Sequence, residues 1–134
     1  MLCQDDFPNA EEDIPRIKDR IDWEHPDSIH WPNWQRAVKS FENDCDYLIL
    51  DGLFIFRPEA GISPDLSIYL KIDKEQFTKA RQQETRWGPE PNWYIDYVWQ
   101  QHLTYGLPPN TIEAHQFTNI KEKDYPTILS MVKG

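Results

Sequence analysis

Apolar positions along this 134-residue chain change their spacing several times, and each change predicts an element. From Cys3 to Phe7 a short apolar lead runs into Asp5 and Asp6, and a polar, proline-punctuated stretch follows as far as Pro32. That pattern predicts the end of a strand and then a long loop. Between Asn33 and Phe41 the residues Trp34, Ala37, Val38 and Phe41 recur at helical spacing, which predicts a short amphipathic helix. Tyr47 to Phe56 reads YLILDGLFIF, an apolar run broken only by Asp51 and Gly52. A strand covered on both faces in a parallel sheet has this appearance. A second strand is predicted from Leu66 to Ile72. It leads into Asp73, which with Gln76 makes a capping box for a helix reaching Arg86. After the loop RWGPEPN, Ile95, Val98, Trp99, His102 and Leu103 line one face of another helix, which Pro108 and Pro109 end. Thr111 to Phe117 reads as a last edge strand and Tyr125 to Val132 as a terminal helix.

Strands alternating with helices predict an α/β layer in which helices flank a parallel sheet, and the length predicts one domain over residues 1–134. An apolar strand such as 47–56 needs neighbours on both edges, yet the pattern supplies two clear strands and an amino-terminal stub. A central strand is therefore expected to be missing from these residues. Self-association through uncovered strand edges is expected with it.

Composition narrows the partners. With 14 Lys and Arg against 23 Asp and Glu, the formal charge is −9, which repels nucleic-acid backbones and anionic lipid surfaces. Neither nucleic acid nor membrane is an expected partner. No apolar run approaches the roughly 20 residues of a membrane span, and the amino terminus lacks a cationic segment before an apolar stretch, so the expected location is the cytoplasm. Cys3 and Cys45 make no disulfide framework and match no zinc spacing; both are expected as thiols. His25, His30, His102 and His115 have no metal-ligand spacing either and read as ordinary loop or helix histidines. The 6 tryptophans bury much area per residue, and they also suit a site for a flat ring such as a nucleobase or a pyridine.

Three segments taken in order resemble one known family. The first is QDDF at Gln4 to Phe7 with IDWEHPDSIHW at Ile21 to Trp31; the second is LILDGLFIF; the third runs from Lys79 through RQQETRWGPEPNWYIDYVW. Their order and separation are similar to nicotinamide riboside kinases and uridine kinase-like proteins, a branch of the P-loop phosphotransferases, over about Gln4 to Tyr105. The resemblance implies a P-loop kinase-like parallel sheet, with ATP and magnesium as cofactors and a small nucleoside as substrate, as in NAD biosynthesis. In that family a GxxxxGK(S/T) loop lies upstream of the QDDF segment and holds the ATP phosphates and magnesium. No such motif occurs in this sequence. The chain is therefore expected to lack both that loop and the first, central strand before it.

The resemblance also assigns roles. Asp5 matches the base that takes the proton of the attacking hydroxyl, and Asp6 falls beside it on the substrate side. Without the family, an Asp-Asp pair at a strand end reads as a turn cap. Asp51 matches the acid at a strand end that organises magnesium, the other reading being an Asp-Gly hairpin turn, which the apolar residues through Phe56 disfavour. Arg81 and Arg86 match lid arginines that stabilise a transferring phosphoryl group; otherwise they are solvated residues on a helix face. The family's cluster is tighter than KARQQETR here. Trp23 and Trp87 match aromatics on either side of a pyridine ring, and Glu24 matches the acid that holds the ribose hydroxyls. The competing reading puts both tryptophans in the core, as expected for Trp34 and Trp99. Two functions follow: a nucleoside kinase transferring the ATP γ-phosphoryl group to a primary hydroxyl, or a non-catalytic remnant that binds a nucleoside or a partner chain.

Overall fold

The computed structural model describes residues 1–134, with mixed α and β structure, four α-helices and small parallel sheets. The chain divides into two compact units. The first comprises Met1–Ile62 with Gln100–Leu107, and the second comprises Ser63–Trp99 with Pro108–Gly134.

In the first unit, strand β1 (Leu2–Cys3) pairs in parallel with β4 (Leu50–Asp51), in the register Leu2 to Leu50 and Cys3 to Asp51. Between them come a short antiparallel hairpin of β2 (Arg16–Ile17) and β3 (Arg20–Ile21), and helix α1 (Trp31–Phe41). The hairpin lies inside the stretch that polarity alone marks as loop. Its two central residues are Lys18, at φ 50°, and Asp19. Helix α1 starts two residues before the apolar spacing suggests, because His30 caps it: the ring Nδ1 accepts from the Asn33 amide at 3.1 Å, and Pro32 sits in the first turn where no amide partner is needed.

The core of this unit forms on one face of α1. Trp34 and Val38, one turn apart, are buried with Ile29 and Phe54. Trp34 is fully buried, its indole N–H donates to the Ala60 carbonyl at 3.0 Å, and Phe7 meets its ring edge-on at 5.6 Å. A tryptophan buried this way contributes apolar area and leaves no orphaned donor.

The run 47–56 is not one strand. Only Leu50–Asp51 pairs, and residues 53–56 turn, which carries Phe54 into the core while Tyr47 and Ile49 stay exposed. Gln4 accounts for the break. Its side chain is fully buried and its Oε1 accepts from the Phe54 amide at 3.0 Å. A Cβ at Gly52 would fall 2.0 Å from that same oxygen, so the glycine makes room for Gln4 to reach across and fasten the turn. Apolarity marked burial correctly at Phe54, but a buried amide from elsewhere in the chain set the backbone path.

In the second unit, β5 (Ile68–Lys71) pairs in parallel with β6 (His115–Thr118), and α2 (Lys74–Gln83) and α3 (Asn92–Gln101) lie between them in sequence. Asp73 caps α2 by accepting from the Gln76 amide at 2.9 Å. The helix stops at Gln83, short of Arg86, because Glu84 is already extended. The Phe77 and Trp99 rings, 5.2 Å apart, join α2 to α3. Tyr94, Ile95 and Val98 are the buried residues of α3, so its inner face is rotated from the one the spacing suggests, and Leu103 is exposed. Beyond Gln101 the chain continues as a wide π-type turn over His102–Gly106 and then reaches Pro108. Helix α4 (Tyr125–Lys133) closes the chain with no buried residue. No helix is long and apolar enough to cross a membrane.

Candidate functional site

The parallel register of β1 and β4 decides where the acidic residues of the first unit meet. Cys3 and Asp51 are paired positions at the ends of the two strands, and the turn after Cys3 carries Asp5 and Asp6. The Cys3 thiol points at Asp51, with Sγ 3.8 Å from Oδ2. Burial pushes the Asp5 carboxyl above its ordinary value, and the charges of Asp51 and then Asp6 push it in the same direction. Asp5 as a residue is exposed, so this burial is partial. The Cys3 thiol is also raised, first by burial and then by the carboxylates of Asp5, Asp51 and Asp6, against a hydrogen bond from the Asp5 amide that lowers it. A thiol so placed stays protonated and is a poor nucleophile. Both cysteines are free.

Asp5, Asp6 and Asp51 are therefore brought together as one electrostatically coupled group. No group of three or more His, Cys, Asp or Glu side chains is arranged to hold a metal ion by itself. Asp51, a carboxylate at a strand end, is the type of ligand magnesium takes, one or two carboxylates being completed by water and phosphate oxygens.

Trp23 follows strand β3 and is 44 % exposed. Beside it, Asp22 is buried and its Oδ1 accepts from the Glu24 amide at 3.2 Å, a turn that fixes the backbone of Glu24. The adjacent histidine is structural: His25 caps the short turn Pro26–Ser28 through Nδ1 and lies edge-on to Tyr105 at 6.0 Å.

The other candidates belong to the second unit. Arg81 lies in the last turn of α2 and makes a bidentate pair with Glu90, at 3.0 and 2.7 Å. Arg86 is not on the helix, which corrects the expectation that both arginines share one lid helix. It sits in the following loop and pairs with Glu84 at 2.9 Å, largely exposed. Trp87, in the same loop, is 84 % exposed. Neither Trp23 nor Trp87 is a core residue, whereas Trp34 is one.

Two residues in these neighbourhoods carry no chemical signature in the sequence. Gln4 would be found only by asking what fastens the turn after Asp51. Glu90 would be found only by pairing charges across a loop, since nine positions separate it from Arg81.

No protein family matches the chain, and no curated protein matches it either.

Proposed function

We propose that this chain carries the nucleoside-accepting part of a kinase of the nicotinamide riboside and uridine kinase type, on a P-loop kinase-like fold. The observation that supports the reading most is the meeting of Asp5 and Asp51 at the ends of two parallel strands, where the environment raises the Asp5 carboxyl. A base raised toward neutrality accepts a proton more readily from a primary hydroxyl. Asp5 takes that proton, Asp6 lies beside it on the substrate side, and Glu24 holds the ribose hydroxyls. Trp23, exposed and therefore open to a ligand ring, stacks on the base or pyridine. Asp51 would hold magnesium, which when bound would neutralise phosphate charge. Arg81 is the lid cation; Arg86, which lies off the helix and is paired with Glu84, takes no part on this reading.

A second reading rests on a specific observation: the sequence has no phosphate loop, and Arg81 is already paired with Glu90. On that reading the chain binds a nucleoside and transfers nothing.

Calorimetry with nicotinamide riboside and uridine tests what the two readings share. Binding of one of them is expected, and Trp23→Ala should weaken it by about 1–2 kcal/mol through lost stacking. Absence of binding by the folded chain contradicts both readings. Fusion of a family-type strand, phosphate loop and helix ahead of Met1 then separates them. The first reading expects turnover that Asp5→Asn lowers at least ~100-fold with nucleoside affinity kept, and the second expects none.

A further inference from the structure

The loop from Glu84 to Pro91 is fastened by two guanidinium–carboxylate pairs of unequal quality. The Arg86–Glu84 pair is short-range and exposed. The Arg81–Glu90 pair is different. Nε donates to one carboxylate oxygen at 3.0 Å and Nη2 to the other at 2.7 Å, with the side chains 30 % and 15 % exposed. Two parallel donors on two oxygens are the best geometry a guanidinium has, and a phosphate would take the same two donors. Glu90 therefore occupies the face of Arg81 that an anionic ligand would use. Between the two pairs stand the exposed Trp87 and Gly88, whose φ of +81° and open surroundings leave the tip of the loop unencumbered. The Arg81–Glu90 pair ties that loop back to α2 through a partly buried contact.

We propose that Glu90 is an autoinhibitory latch: it holds Arg81 in reserve, and a phosphoryl anion engages Arg81 by displacing it, releasing the segment that carries Trp87. The proposal rests on the reading of Arg81 as a phosphate-facing residue and adds how that residue is regulated. Linkage makes the relation reciprocal, so removing the latch must tighten the anion, and binding the anion must loosen the loop.

The test is tripolyphosphate binding by the full chain, measured by calorimetry at low salt for the wild type, Glu90→Gln, Glu84→Gln, Arg81→Ala and Arg81→Ala with Glu90→Gln. Glu90→Gln should bind roughly tenfold more tightly than the wild type, the size of an ordinary coupling between two sites. Glu84→Gln removes the same charge from the same loop and should change little. The gain should vanish when Arg81 is also replaced. Equal gains from Glu84→Gln, or a gain that survives loss of Arg81, would show a general charge effect and overturn the latch. If Arg81→Ala weakens wild-type binding but Glu90→Gln does not tighten it, the latch fails while the phosphate role of Arg81 stands. If neither wild type nor Glu90→Gln binds, that role fails and the latch with it. Should Glu90→Gln not fold, the Arg81 Nε–H resonance of the wild type serves instead. Tripolyphosphate should shift it and raise the solvent exchange of the loop amides, and an unmoved resonance at saturating anion overturns the proposal.

Discussion

The two units are built on different terms. In the first, burial and hydrogen bonding are concentrated in a few side chains that reach across the chain: Trp34 to Ala60, and Gln4 to Phe54 over Gly52. In the second, α2 and α4 bury no residue; burial is confined to Tyr69 on β5 and to Tyr94, Ile95 and Val98 on α3, and the elements are further joined by the parallel β5–β6 pair, ring contacts, and charged pairs such as Arg81–Glu90. The acidic candidates sit on the interlocked unit and the lid candidates on the more lightly fastened one. That division suits the proposed function, in which a base has to be held still whereas a lid has to move.

The sharpest way to break this contrast is to remove the keystone of the first unit. Trp34→Ala should cost about 3–5 kcal/mol. Hydrogen exchange should then show lost protection around α1 and the β1–β4 pair, with the β5–β6 amides much less affected; equal loss in both units would contradict the comparison. Next comes Gly52→Ala, which drives Gln4 from its site and leaves the Phe54 amide unpaired, at a cost of about 2–3 kcal/mol in denaturant unfolding. Combining it with Gln4→Ala should cost clearly less than the two changes added together, because both act on one contact. In the second unit, Asp73→Ala removes a helix cap and should cost about 1 kcal/mol, seen as fraying of the first turn of α2.

The smallest effects are those of pH. The Asp5 carboxyl is raised in the folded chain, so the folded state binds that proton more tightly than the unfolded one. Its contribution is therefore full below the ordinary Asp value and is lost as pH rises through the folded value. Asp5→Asn should then raise Tm at neutral pH and lose that advantage in acid. His102 runs the other way. Burial lowers its pKa, and its ring lies beside Gly106, so its contribution is present above the ordinary histidine value and lost as pH falls below it. Melts of His102→Gln across the same range should show less acid sensitivity than the wild type.

Where local rules sufficed, the sequence was legible. Asp73 as a cap, the span of α4, and the helix carrying Trp34 and Val38 all follow from spacing and capping chemistry, and the structure has them within a few residues. The run from Tyr47 to Phe56 misled because continuous apolarity reports burial and not direction, and the residue that bends it, Gln4, is polar and distant in sequence. Charge and spacing alone put Arg86 on a helix, because they do not reveal that the chain is extended from Glu84. Of the site, the acidic group became visible only with the β1–β4 register, which no local pattern specifies. The Glu90 partner of Arg81 was equally hidden, because a pair across a loop leaves no periodic trace.

The central claim is that two parallel strand ends hold Asp5 and Asp51 close enough to act on one another. Carbon-detected NMR titration of the aspartate carboxyls, in the wild type and in Asp51→Asn, tests it most directly. Asp5 should titrate above the ordinary aspartate range in the wild type. In Asp51→Asn it should move part of the way back, since burial accounts for the larger share, and in Asp73→Asn it should not move. An Asp5 carboxyl that titrates at the ordinary value and ignores the loss of Asp51 would contradict the account.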